Sequence, residues 1–143
     1  MEEYPDSFLR GILSDDAQWC IDGIVTPALF NFTRNDRGGM ELSINWYDCE
    51  AALLNLSMKL NEKKGGIEYK GGVAQVKREH LDRLKLNSKY RGRIDYERCR
   101  LPDNEHHGNI LFLNKEPSEK RVNLLHRMLC NQLAINAEIL KPD

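Results

Sequence analysis

The sequence predicts an α+β fold: a curved, mostly antiparallel sheet of about five strands flanked by two or three helices, the last of them long and C-terminal. Three observations carry this expectation. Strand-like and helix-like segments are mixed along the chain, and Met40 to Trp46 alternates cleanly between apolar and polar residues. The long uniform apolar strands of a doubly wound sheet do not occur.

Ser7 to Leu13 reads as a short strand with Arg10 and Gly11 inside it. Ser14 then offers an N-cap, Asp15 and Asp16 suit a first helical turn, and a short helix through Ala17, Trp19, Cys20 and Ile21 is expected to stop at Gly23. Ile24 to Phe32 is apolar but broken by Pro27, which suggests an irregular turn or one helical turn. The cluster Asn35 to Gly39 is a turn. In the strand that follows, Leu42, Ile44 and Trp46 share one face, and Glu41, Ser43 and Asn45 the other.

Asp48 can cap the next helix, in which Ala52, Leu53, Leu56 and Leu60 form a stripe before Asn61 and the Gly65-Gly66 stop. Gly71-Gly72 opens a strand over Val73 to Lys77, and Arg78 to Leu84 suits a short helix with Leu81 and Leu84 inward. Ile94 to Arg98 and Asn109 to Leu113 are further strands. The Pro102 to Gly108 loop between them is too long for a tight hairpin and long enough to carry a site. Ser118 begins the longest helix, expected to place Leu125, Met128, Leu129, Leu133 and Leu140 inward and to reach Pro142.

A chain of 143 residues is the size of one domain, taken as 1–143. With 21 basic and 22 acidic residues there is no net field to gather phosphate or anionic lipid, which argues against nucleic acid and membrane surfaces as partners. A local basic patch at Lys77, Arg78, Arg83, Lys85, Lys89, Arg91 and Arg93 is the one feature a nucleic-acid binder could use. The acidic N-terminus lacks the pattern of a secretory signal, and no apolar run is long enough to cross a membrane, so a cytoplasmic location is expected. Cys20, Cys49, Cys99 and Cys130 stand singly, which suits buried free thiols better than a zinc ribbon or redox pair.

The least generic segment is Leu101 to Leu113, where a polar turn with two adjacent histidines runs into a continuous apolar strand. His106 and His107 point to opposite sides of an extended loop, so they do not share one metal, and no cofactor motif accompanies them. Arg10 within an apolar strand needs a partner, either Glu97, Glu68 or Glu50 in a salt bridge, or an anionic ligand. Ser43 and Asn45 face water on the best strand. The serine-hydrolase elbow and the P-loop are both absent.

The expected surface for recognition is therefore Arg10, Ser43, Asn45, Asn104, His106 and His107, with the histidine loop outside in water. A complete core pattern beside incomplete catalytic sets suggests a small non-enzymatic accessory protein that binds another protein. The alternative is a nucleotide-handling enzyme or sensor using Arg10, Ser43 and His107, and the third reading is a nucleic-acid binder.

The segments Phe8-Leu9-Arg10-Gly11-Ile12 and Leu42-Ser43-Ile44-Asn45-Trp46 resemble the start of the ADP-ribosyltransferase fold. That resemblance implies a strand arginine and a second-strand serine framing a nicotinamide ribose. It departs at Gly72-Val73-Ala74-Gln75-Val76, where the neutral Gln75 occupies the expected glutamate position. The wider pattern of Arg10-Gly11, Leu42-Ser43-Ile44, Gly72-Val73-Ala74 and Pro102 to Ile110 resembles a loose group of small bacterial proteins to which no activity is attached.

Overall fold

The structure is a computed structural model that describes residues 3–12, 18–63, 72–113 and 119–140. Its elements in chain order are β1 (Ser7–Gly11), β2 (Cys20–Ile21), β3 (Ile24–Val25), a 3-10 turn (Pro27–Phe30), β4 (Thr33–Arg34) and β5 (Met40–Trp46). There follow α1 (Glu50–Lys63), β6 (Val73–Lys77), α2 (Arg78–Lys85), β7 (Ile94–Arg98), β8 (His107–Phe112), α3 (Glu119–Ile135) and β9 (Glu138–Leu140). The fold is α+β, as expected.

Among the described residues seven strands form one antiparallel sheet in the order β7-β8-β5-β1-β6-β9, with β4 also paired to β5. The sheet exceeds the expected five strands through two short ones, β4 and β9. Strand alternation sends Phe8, Leu42, Ile44, Trp46, Val76, Tyr96, Ile110 and Phe112 into a core closed by Leu125, Leu129 and Leu133 of α3 and by Leu29 and Phe30 of the 3-10 turn. On the opposite face Leu9 and Val73 pack against Ala52 and Leu53 of α1, with Leu140 of β9 beside them. The strands that meet α1 are β1, β5 and β6. Farther along the same face the side chains are polar, and Glu97, Asn109 and Ser43 stand in register across β7, β8 and β5.

Two expected helical segments are strands instead. Cys20 and Ile21 pair with Val25 and Ile24 around Asp22 and Gly23, whose φ angles of 52° and 78° suit a tight two-residue hairpin turn. The Asp-Gly pair that reads as a helix stop is here the hairpin signal itself, while Ser14 to Ala17 lie outside the described residues. At the other end α3 stops at Ile135, and Glu138 to Leu140 pair with Gln75 to Val73 of β6. The cause is the open edge of β6: its unpaired backbone groups gain partners that a longer helix would deny them. The proposed caps at Ser14 and Ser118 and the Gly65-Gly66 stop lie outside the described residues.

Candidate functional site

The site grows from a gap in the sheet. β1 pairs with β5 only at Phe8 with Trp46 and Leu9 with Asn45, and β4 takes over the same edge of β5 at Glu41 and Met40. Arg10 fills the interval. Its Nε donates to the Leu29 carbonyl and its Nη1 to the Ser43 carbonyl at 2.7 Å. A guanidinium thus supplies the hydrogen bonds that a continuous strand would have made.

None of the acids expected to pair with Arg10 does so among the described residues. Glu97 is gripped by both terminal nitrogens of Arg37, at 2.8 and 3.1 Å, and by the Asn109 amide at 3.0 Å. Glu50 accepts from the Tyr47 hydroxyl at 2.8 Å, and Glu68 lies outside the described residues. Burial pushes the Arg10 pKa below its ordinary value.

Arg10, Ser43, Asn45, Asn104 and His107 line one cavity of about 150 Å³, with Leu56 as an apolar wall. Five of the six residues singled out from the sequence therefore converge. Within the cavity Ser43 Oγ lies 3.0 Å from His107 Nε2, and His107 Nδ1 lies 2.8 Å from the Cys99 carbonyl oxygen. A carbonyl only accepts, so in the neutral ring Nδ1 carries the hydrogen, and the Ser43 hydroxyl donates to the bare Nε2. The strands hold this pair in place: Asn45 faces His107 and Ser43 faces Asn109 across the β5–β8 ladder, making Ser43 and His107 diagonal neighbours.

The histidine loop departs from the expectation of a bend outside in water. Asn104 and His106 are each only 7% exposed. Asn104 Nδ2 donates to Asn45 Oδ1 at 2.7 Å, Asn45 Nδ2 donates to the Ala52 carbonyl of α1, and the His106 backbone N–H donates to Asn104 Oδ1. Asn45 is itself buried at 2% rather than facing solvent, because this relay ties strand, helix and loop together. His106 points away from the cavity and bonds through Nδ1 to Asp48 Oδ2 at 3.0 Å, while Arg98 donates to Asp48 Oδ1. Asp48 therefore ties the loop to Arg98 of β7. Replacing His106 by alanine should cost about 1–3 kcal/mol, measured by urea unfolding, because it strips a buried partner from Asp48.

These ion pairs set an acid limit on stability. Burial pushes the Asp48 carboxyl up, but the hydrogen bonds from His106 and Arg98 together outweigh it and hold it below its ordinary 3.8. Glu97 is held below its ordinary 4.5, first by the hydrogen bond from Arg37 and then by that from Asn109. A carboxyl depressed by folding stabilises fully above its unfolded value and loses that contribution as pH falls through the folded one. The difference in Tm between the wild type and Glu97→Gln should hold steady from neutral pH to about 5 and shrink below 4.5. A difference that grows on acidification would refute the sign.

Other sequence candidates have structural employment. Cys130 and His126 lie 3.4 Å apart, but the thiol donates to the Phe30 carbonyl and burial pushes it up to about 11. His126 Nε2 accepts from the Phe32 N–H. This pair is a joint between α3 and the 3-10 turn. Of the four cysteines only Cys130 is buried; Cys49 is exposed and the other two are intermediate. Within the basic patch Arg78 binds Asp82 at 2.8 Å and the carbonyls of Pro5 and Tyr4, and Lys85 lies 4.0 Å from the centre of the Tyr96 ring. Gln75 donates to Ser7 Oγ. Among the described residues no three His, Cys, Asp or Glu side chains gather as a metal site requires, and no helix is long and apolar enough to cross a membrane.

The contribution of Cys99 to the site is invisible in sequence, since it comes from a backbone carbonyl. The pairing of Arg37 with Glu97 spans 60 positions and leaves no local signal either. The chain matches no family model, no curated protein and no solved structure.

Proposed function

We propose that the chain binds a small anionic ligand, a carboxylate or phosphate group, in the cavity between β1, β5 and the β7–β8 loop. One observation carries this reading: a half-buried guanidinium whose only partners among the described residues are two neutral carbonyls. A neutral amide could brace those carbonyls without the cost of desolvating a charge. The positive charge is what an anion would use, with the Ser43 hydroxyl and the Asn104 amide beside it. At about 150 Å³ the cavity is well below the size of sites that enclose drug-sized molecules, so it suits an acid group rather than a whole dinucleotide.

Thermal shift tests this directly. Inorganic phosphate or a small dicarboxylate at 100 times its Kd should stabilise the wild type by about 2.7 kcal/mol, and Arg10→Gln should lose that gain. A wild type whose Tm is unmoved by every anion would end the proposal.

A second reading, an accessory protein that docks on another protein, is favoured by the β2–β3 hairpin. Ile21 and Ile24 are 54% and 67% exposed there, side by side and off the main sheet. Monomeric sedimentation together with no partner recovered from the native host would remove it.

A further inference from the structure

We propose that Ser43 and His107 are a nucleophile and its base, and that the cavity hydrolyses a small acyl ester bearing an acid group. The proposal deepens the anion-pocket reading and rests on it for its substrate class: Arg10 would hold the acid end while the ester carbonyl meets Ser43.

The geometry has the three parts that serine activation requires: a hydroxyl, a base within hydrogen-bond reach of it, and a group that orients the base. Ser43 Oγ is 3.0 Å from His107 Nε2, and the Cys99 carbonyl fixes the ring from its other side at 2.8 Å. A backbone carbonyl stands where better-known triads place a carboxylate, and it enforces the same tautomer. The Cys99 backbone N–H donates back to the His107 carbonyl at 3.1 Å, so the orienting group is itself pinned. Both reacting side chains stand on neighbouring paired strands, and Ser43 is exposed on its sheet face. No nucleophile elbow is needed, because the cavity rather than a strained turn presents the hydroxyl.

The chemistry balances without a cofactor. Ser43 Oγ bonds to the ester carbonyl carbon as its proton passes to His107 Nε2. The tetrahedral adduct collapses, the ester C–O bond breaks, and the alcohol leaves with the proton from His107. Water then bonds to the acyl carbon, giving a proton to Nε2. The bond to Ser43 breaks, Ser43 Oγ recovers that proton, and the products are one acid and one alcohol.

A fluorophosphonate probe, which phosphonylates an activated serine with loss of fluoride, provides the test. Intact-mass and peptide mapping should place one adduct on Ser43 of the wild type, none there on Ser43→Ala, and labelling at least 100-fold slower on His107→Gln. The mono-p-nitrophenyl ester of succinic acid should be hydrolysed faster than p-nitrophenyl acetate, with the preference lost in Arg10→Gln. Ser43→Ala, which loses the exposed hydroxyl, serves as the unlabelled control, and a single cooperative melt shows that it is folded. An unlabelled Ser43 in a wild type that phosphate still stabilises would overturn catalysis and leave anion binding standing. Equal labelling of wild type and His107→Gln would overturn the pairing.

Discussion

Trp46→Ala should lower the stability of the protein by about 3–5 kcal/mol, read as a fall in denaturant midpoint at unchanged m-value. Trp46 is fully buried at the end of β5. Its ring centre lies 4.9 Å from that of Tyr4, 5.8 Å from Tyr96 and 6.3 Å from Phe8, the last two meeting it edge-on. Such pairs add to the area an indole buries, and its removal leaves a void among three rings drawn from the N-terminal segment, β1 and β7. The Tyr4 hydroxyl also donates to the Tyr96 carbonyl at 2.9 Å, so the N-terminal segment depends on the same cluster. A loss under 1 kcal/mol would show that the cluster is not the packed centre described.

Gly108→Ala should cost about 3 kcal/mol, at the upper end of what overpacking exacts. A Cβ at this position would stand 2.4 Å from Trp46 Nε1 and 2.6 Å from the Glu97 carbonyl oxygen, both closer than real contacts allow. The indole is wedged among aromatic rings, and the carbonyl belongs to the backbone of β7, so neither can retreat freely. Gly108 is required by close approach rather than by an unusual backbone angle. Trp46→Phe removes one of the two obstacles, and in a double-mutant cycle it should recover part of the alanine's cost. Strictly additive losses would place the clash elsewhere. Because His107 precedes Gly108 on β8, the alanine should also weaken anion binding.

Much of the fold was legible because its signals are local. The alternation of Met40 to Trp46 and the stripe of α1 each state a period, the apolar run after Gly108 a buried strand, and each forms the element it predicts. Where the same apolar residues suit two structures, the reading failed. Ile139 and Leu140 extend the stripe of α3 as readily as they make a strand, and only the vacant edge of β6 decides for the strand. Asn45 alternates with Leu42, Ile44 and Trp46 and so reads as wet, yet Asn104 and the Ala52 carbonyl close over it.

The candidate site divides in the same way. The unusual residues announced themselves: an arginine inside an apolar strand, a serine on an alternating one and a histidine pair beside a buried strand. By itself the sequence determined the fold class, the principal core elements and the residue types worth watching, since periodicity and side-chain chemistry are carried by near neighbours. Only the tertiary structure decided that Arg10 bonds the carbonyls of Leu29 and Ser43, that His107 enters the cavity while His106 locks the loop, and that a carbonyl of Cys99 orients the ring. Those facts depend on which strands lie side by side. Strand order is set by the summed burial of the whole sheet, a quantity that no stretch of neighbouring residues contains.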